Sequence, residues 1–211
     1  MFTRRTFLAG SAASIAAGSA LAQTAPVAPL QLDVSPEATN PYGITLPPDM
    51  EGDYVIPEKY RAQIVPIQAG IPAGQIHIVP QNYHLYYTLP DNVAIRYGVA
   101  VGQEGLGWSG SASIQRKVEW PSWRPTDEMI ERNPAAYEQY ADGMPGGPTN
   151  PLGARALYFF QGDRDTAIRI HGTTQPSSIG SSASNGCFRM YNSHVIDLYQ
   201  RVPLGTAAFA Y

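Results

Sequence analysis

The chain contains a single cysteine, Cys187, set in the small polar turn Ser184-Asn185-Gly186-Cys187. Cysteine chemistry needs the thiolate, so a base or a positive charge must lie near it. His171, at the end of the apolar run Thr166-Ala167-Ile168-Arg169-Ile170, is the obvious proton acceptor. Gly186 matters differently. Without a Cβ its backbone can take the tight geometry that aims N–H groups near Cys187 at a developing oxyanion. Nucleophile, base and oxyanion donors can therefore all come from the span 171–187. Spacing alone leaves a second reading open, in which Cys187 is a small buried hydrophobe and His171 a strand-end histidine bonded to a carbonyl.

Other polar and aromatic residues carry weaker signals. His77 sits in an alternating apolar run and His84 beside Tyr83, so both read as ordinary strand residues. His194 falls in the first turn of the helix expected after the cysteine, facing the site or solvent. Trp108, Trp120 and Trp123 could wall a substrate groove or belong to the core. Thr173 and Ser178 lie close enough to His171 to orient it or bind substrate. The histidines lack metal-type spacing and one cysteine cannot build a zinc site, so no metal is expected. A papain-like arrangement is disfavoured because the cysteine follows the histidine late in a β-rich chain.

These residues need a scaffold, and the texture of the sequence predicts strands. Short runs rich in β-branched and aromatic residues, QIHIV, YHLYYTL, VAIRYGVAV and SASIQRKVEW, follow one another from Gln75, separated by Pro, Asp-Asn or Gly-rich turns. Glu58 to Ile67 predicts a short element leading into the domain. ALYFFQ and TAIRI predict two more strands around a Gly-Asp-Arg-Asp turn, and Gly205 to Tyr211 a last one. Between Trp120 and Gly153 the strand texture stops. There Thr126 caps a short helix with two acids in its first turn, Asn133-Pro134 interrupts it, a further helical turn or two is expected to run to Tyr140, and the GMPGGPTNPLG run that follows is loop. A loop of this length in a compact domain reads as a lid over a site. After the cysteine, Asn192 is expected to cap a helix over SHVIDLYQRV, with Val195, Ile196, Leu198, Tyr199 and Val202 apolar, before Pro203 stops it.

The chain has 211 residues, enough for one sizeable domain. Residues 1–22 read as an export signal: Arg4-Arg5 within Thr3-Arg4-Arg5-Thr6-Phe7-Leu8, a mild Ala/Gly/Ser-rich stretch, and the small-x-small site Ala20-Leu21-Ala22. The paired arginines resemble a twin-arginine signal, which predicts a periplasmic product. Residues 23–57, rich in proline without apolar period, read as a linker or arm, and 58–211 as the folded domain. The stretch before Ala22 is too short and mild to span a bilayer, and no membrane-spanning segment is expected in the mature chain. The formal charge of −3 becomes −5 if the signal is removed, so a nucleic-acid partner is not expected. One cysteine rules out an internal disulfide framework.

The run Ile170-His171-Gly172-Thr173, then Pro176, Ser178-Ile179-Gly180, and Ser184-Asn185-Gly186-Cys187-Phe188-Arg189-Met190 with Asn192, closely resembles the signature of the L,D-transpeptidase (YkuD-type) catalytic domain. Arg96 to Gly102, Lys117 to Pro125, Met144-Pro145-Gly146-Gly147 and Asn150-Pro151-Leu152-Gly153 through Tyr158 extend that resemblance to the bacterial periplasmic branch. It implies a mostly β, sandwich-like or barrel-like domain with a capping loop and a short helix after the cysteine. It also implies a cofactor-free cysteine acyltransferase acting on peptidoglycan stem peptides through a thioester. The acyl acceptor would be a stem amine, giving 3-3 cross-links, or a lysine of an envelope or outer-membrane protein. Water as acceptor would make the protein an L,D-carboxypeptidase or endopeptidase, and a wall-binding protein without activity is the alternative from another class. Carried over by position, Cys187 is the nucleophile, His171 the base, and Gly186 and the Cys187 backbone the oxyanion donors, with Asn185, Arg189, Gly172, Thr173 and Ser184 in substrate-binding or supporting roles. Asn185 stands where the family often has His. An amide is no base near neutral pH, though it can form hydrogen bonds, so this leaves His171 as the sole base.

Overall fold

The computed structural model describes residues 43–103 and 106–211. The export signal and the arm up to residue 42 lie outside them. Thirteen strands and three α-helices follow one another: β1 (Met50–Glu51), β2 (Tyr54–Val55), β3 (Gln63–Pro66), β4 (Ile76–Val79), β5 (His84–Leu89), β6 (Val93–Gly98), β7 (Val101–Gly102), β8 (Gly110–Glu119), α1 (Asp127–Arg132), α2 (Pro134–Tyr137), β9 (Arg155–Gln161), β10 (Arg164–His171), β11 (Ser182–Ser184), β12 (Phe188–Arg189), α3 (Asn192–Arg201) and β13 (Ala207–Ala210).

Nine strands form one sheet in the order β12-β10-β9-β8-β13-β4-β5-β6-β3, with parallel pairing only at β12–β10 and β13–β4. Period-2 alternation decides which residues fill it. Ile76, Ile78, Leu85, Tyr87, Ile95 and Tyr97 point into the main core, and their neighbours His77, Tyr86 and Ala94 point the other way. On β9 and β10 the inward set is Leu157, Phe159 and Ile170. Both faces of the β4–β6 region carry apolar residues, because Ile67, Ile71 and Tyr211 roof the outer one. At the far edge, Arg189 and Ala100 exchange two backbone hydrogen bonds of 2.9 Å, so edge strand β12 meets the chain just beyond β6 and the sheet rolls around its core. The mostly β, barrel-like expectation holds.

α3 closes one side. Val195, Leu198 and Val202 recur at helical spacing and are buried in the main core, and Pro203 ends the run. The helix begins one residue earlier than expected. Asn192 is its first residue rather than its cap, and the N-cap residue, Tyr191, makes no side-chain capping bond. The described part of the Pro-rich arm is docked on it: Glu51 accepts from both N and Oγ of Ser193, and Arg201 donates to the Thr45 carbonyl at 2.8 Å.

The insertion between β8 and β9 is a folded cap. Thr126 Oγ1 accepts from Met129 N at 3.2 Å, as an N-cap does. Asn133 ends α1 and its side chain caps α2, so the Asn-Pro break is one residue serving two helices. At the base of the cap, Trp123 and Met144 pair as a bridge, the Trp120 N–H donates to the Ala154 carbonyl, and fully buried Asn150 ties together Met144, Pro145 and Leu152.

Candidate active site

The alternation that buries Ile170 and Phe188 turns their neighbours outward. His171 is in parallel register with Arg189, and Ile170 with Phe188, so Cys187, Arg189, Arg169 and His171 emerge on one face of the β10–β12 edge. Tyr158, the antiparallel partner of Arg169 on β9, joins them. The cap forms the opposite wall through Trp123, Arg124, Met129 and Tyr137. Between the two lies a pocket of about 640 Å³, within the usual range for small-molecule sites.

Three interactions fix His171 and the turn that follows it. His171 Nδ1 is 2.6 Å from the Gly172 carbonyl, which can only accept, so Nδ1 carries the proton and Nε2 is left as the basic nitrogen. The His171 carbonyl accepts from Met190 N at 2.8 Å. The third is Asn192. Its Oδ1 accepts from Ala154 N at 2.9 Å while its Nδ2 donates to the Thr173 carbonyl at 2.7 Å, clamping the turn after β10 to the start of β9. Glycine is required beneath this clamp: a Cβ on Gly172 would lie 2.1 Å from Asn192 Oδ1, and one on Gly153 2.2 Å. Sequence reading missed this role because an Asn ahead of a helical run reads as a cap.

The cysteine turn is wired from within. Gly186 takes φ +114°, the left-handed region expected of it. Its N–H donates to Ser184 Oγ at 3.2 Å, and the Ser184 hydroxyl donates to the Cys187 carbonyl. The Gly186 N–H is therefore engaged, and Cys187 is the residue of the turn whose N–H can serve an oxyanion. The thiol is half-buried, with Sγ 3.7 Å from the Ala167 carbonyl. That carbonyl reaches it through an irregularity in β10, where Ala167 sits at φ +61° and its N–H is held by Asp165 Oδ1 at 2.8 Å. A left-handed alanine in a strand is strained backbone, of the kind found at functional sites.

Electrostatics distinguish the pocket from the rest of an acidic chain. Arg124, Arg169 and Arg189 line it and, among the described residues, no carboxylate does. Arg169 is paired with Asp165 and lies 4.3 Å over the Tyr158 ring, whose face also carries Arg116 at 4.7 Å. Burial, with help from Arg189 and Arg169, lowers the His171 pKa to about 4 against the opposing Gly172 bond. Burial raises that of Cys187, opposed by a backbone bond from Arg169 and by the two arginines. At neutral pH the resting pair is a neutral imidazole and a thiol.

All eight residues singled out from the sequence lie in one neighbourhood. Cys187, His171, Asn185, Arg189, Thr173 and Ser184 line the pocket, while Gly172 and Gly186 shape its two turns. Trp123 lines it too, but Trp108 packs on Phe159 in the core and Trp120 is exposed. Ser178 bonds to the Gln175 carbonyl in its own turn. His194 faces neither site nor solvent: it is fully buried between Tyr97 and Tyr191. His77 is a buried strand residue bonded to Tyr211, and His84 a strand residue bonded to the Lys59 carbonyl.

Residues 73–209 match the model of the YkuD family, the L,D-transpeptidase catalytic domain. The probable L,D-transpeptidase YbiS of Escherichia coli is 34% identical over 125 residues, covering 57% of this chain and 39% of YbiS, so the chain spans well under half of that relative's length. A crystal structure from Brucella melitensis, described as a probable carnitine operon oxidoreductase, is 55% identical over 74% of this chain and 97% of that one, with a TM-score of 0.51. The L,D-transpeptidase of Enterococcus faecium, solved as a cysteine-to-serine mutant, superimposes with a TM-score of 0.50 at 18% identity over 70% of this chain and 56% of that one, a likeness of fold. The family match covers more than half of the chain and contains both β10 and the cysteine turn; this chain belongs to the L,D-transpeptidase (YkuD) catalytic-domain family.

Proposed function

We propose that the protein is a cysteine L,D-transpeptidase acting on peptidoglycan stem peptides, exported by its twin-arginine signal and working in the periplasm. The observation that carries this reading is the placement of Cys187 and His171 on one face of two paired strands, inside a pocket lined by three arginines and, among the described residues, no acid. Such a pocket on an acidic chain suits an anionic substrate, and stem peptides bear carboxylates.

Because both groups rest uncharged, attack and proton transfer are coupled. The Cys187 Sγ–C bond forms at the stem carbonyl as the thiol proton passes to His171 Nε2, and the oxygen that gains charge is met by the Cys187 N–H. Collapse breaks the C–N bond, and the terminal D-alanine leaves with the proton returned by His171. A thioester remains. An acceptor amine then attacks it, gives its proton to Nε2, and restores the thiol. A stem amine yields a 3-3 cross-link and a protein lysine yields a tether. Arg189, half-buried at the pocket wall, is placed to hold a substrate carboxylate.

Intact-mass measurement with a stem tetrapeptide tests the reading. The expected result is a tripeptide acyl adduct on Cys187 with equimolar release of D-alanine. A folded protein that stays unmodified and releases none overturns it. Free tripeptide accumulating while acceptor amines are present assigns water as the acceptor instead.

A further inference from the structure

One side chain of the cap reaches the cysteine turn directly. Arg132, at the end of α1, donates from Nη2 to Asn185 Oδ1 at 2.7 Å, joining residues 53 positions apart. Both side chains belong to exposed residues, and α1 has no buried residue of its own. The guanidinium makes no salt bridge among the described residues, although Glu128 lies one helical turn back. Its hydrogen bond goes to the Asn185 amide, while its charge acts on Glu128 without a salt bridge.

A single exposed bond contributes little to stability, so its importance depends on what it holds. Asn185 immediately precedes Gly186, whose N–H is tied to Ser184 Oγ, and Ser184 in turn holds the Cys187 carbonyl. The turn is therefore fixed from inside by Ser184 and from outside by α1. The same cap presents Trp123, Met129 and Tyr137 to the pocket. Seating of the cap and orientation of the Cys187 N–H thus share one hydrogen bond. We propose that Arg132 is a positioning residue of the acyl-transfer site, acting through Asn185 to hold the cysteine turn in the geometry of attack when the cap is seated. The proposal rests on the transpeptidase reading above. It gives Asn185 a task that needs an acceptor oxygen and no proton transfer.

The test compares the purified protein with Arg132→Ala, Arg132→Lys, Asn185→Ala and the double alanine variant, each first shown to be folded by circular dichroism. Acylation by a stem tetrapeptide is followed across substrate concentration, and Cys187 alkylation by iodoacetamide is measured in parallel. Each alanine variant should lower the maximal acylation rate roughly 3- to 10-fold with little change in KM, the scale of one ordinary hydrogen bond, because solvent screens the charge of this exposed donor. The double variant should be no slower than the worse single, and Arg132→Lys should recover part of the loss. An unchanged maximal rate in Arg132→Ala, losses that multiply in the double variant, or an effect confined to KM overturns the proposal. If the wild-type thiol is alkylated yet never acylated, the transpeptidase reading fails, and alkylation alone decides. A change shared by both single variants and not deepened in the double then upholds the link, and independent or absent changes reject it.

Discussion

The two walls of the pocket are built differently. The β9–β10–β12 wall takes its side chains from a hydrogen-bonded ladder, and Asn192 locks its turns from below. The cap wall consists of a six-residue and a four-residue helix without buried residues, secured chiefly at its base by Asn150 and the Trp123–Met144 bridge. Groups that must meet within fractions of an ångström stand on the ladder, and those that select or enclose a substrate stand on the lightly held cap. Damage to the first should stop the chemistry, and damage to the second, the Arg132 link to the cysteine turn apart, should alter how substrate is admitted.

The largest effect should come from the ladder wall. His171→Ala should slow acylation by about 10²-fold or more, the usual scale for loss of a general base. Asn185→Ala should cost clearly less, since the Ser184 bonds and the Cys187 N–H survive it. Single-turnover rates of the two folded variants make the comparison, and equal losses would remove the distinction.

Next comes Gly172→Ala, whose methyl would force Asn192 off Ala154 and Thr173. Breaking two partly buried bonds should destabilise the fold by about 2–4 kcal/mol. Urea unfolding reads this loss, and acylation should fall with it.

A third prediction concerns acid. His77, His171 and His194 are each lowered to about 4 by burial, against 6.5 for an ordinary histidine. The unfolded chain therefore binds protons that the folded chain refuses. Their contribution to stability is complete above pH 6.5 and is lost as pH falls towards 4. The urea midpoint should drop steadily across this window, and His194→Phe should flatten part of the slope, because His194 has neither ring nitrogen bonded. Acylation by folded enzyme should persist below pH 6.5, since His171 stays neutral there.

The smallest effect belongs to the cap. Thr126→Ala removes the N-cap of α1, worth about 1 kcal/mol locally. It should leave the global unfolding midpoint unchanged and raise KM a few-fold at most, as steady-state kinetics would record. A fall in the global midpoint would mean that cap and ladder unfold as one.

Much of this was legible beforehand, for local reasons. The strand runs alternate because each has one face in the core, so the reading of QIHIV, YHLYYTL and ALYFFQ needed only the period of two. Thr126 was recognisable because capping is satisfied within three residues, and the break at Asn133-Pro134 because proline cannot continue a helix. The His171 and Cys187 turns stood out by their glycines. What escaped was set by contacts between distant segments. Asn192 serves two backbone groups 38 and 19 residues away, Arg132 meets Asn185 across the cap, and nothing in an alanine announces the left-handed turn at Ala167. The docking of the arm was hidden for a similar reason: proline denies it a period, yet Ile44 and Leu46 pack against the main core and Ile56 is buried with Tyr60, Ala100, Ile179 and Tyr191.

The position of β13 bears on how the molecule comes into being. It is the thirteenth strand along the chain, yet it lies in the interior of the nine-stranded sheet, with β8 on one side and β4 on the other. During synthesis the β3–β6 group and the β8–β12 group can each gather locally, but the strand that unites them, β13, is made after both. Folding is thereby deferred until residues 207–210 have left the ribosome, and every earlier intermediate carries two open strand edges waiting for the same partner.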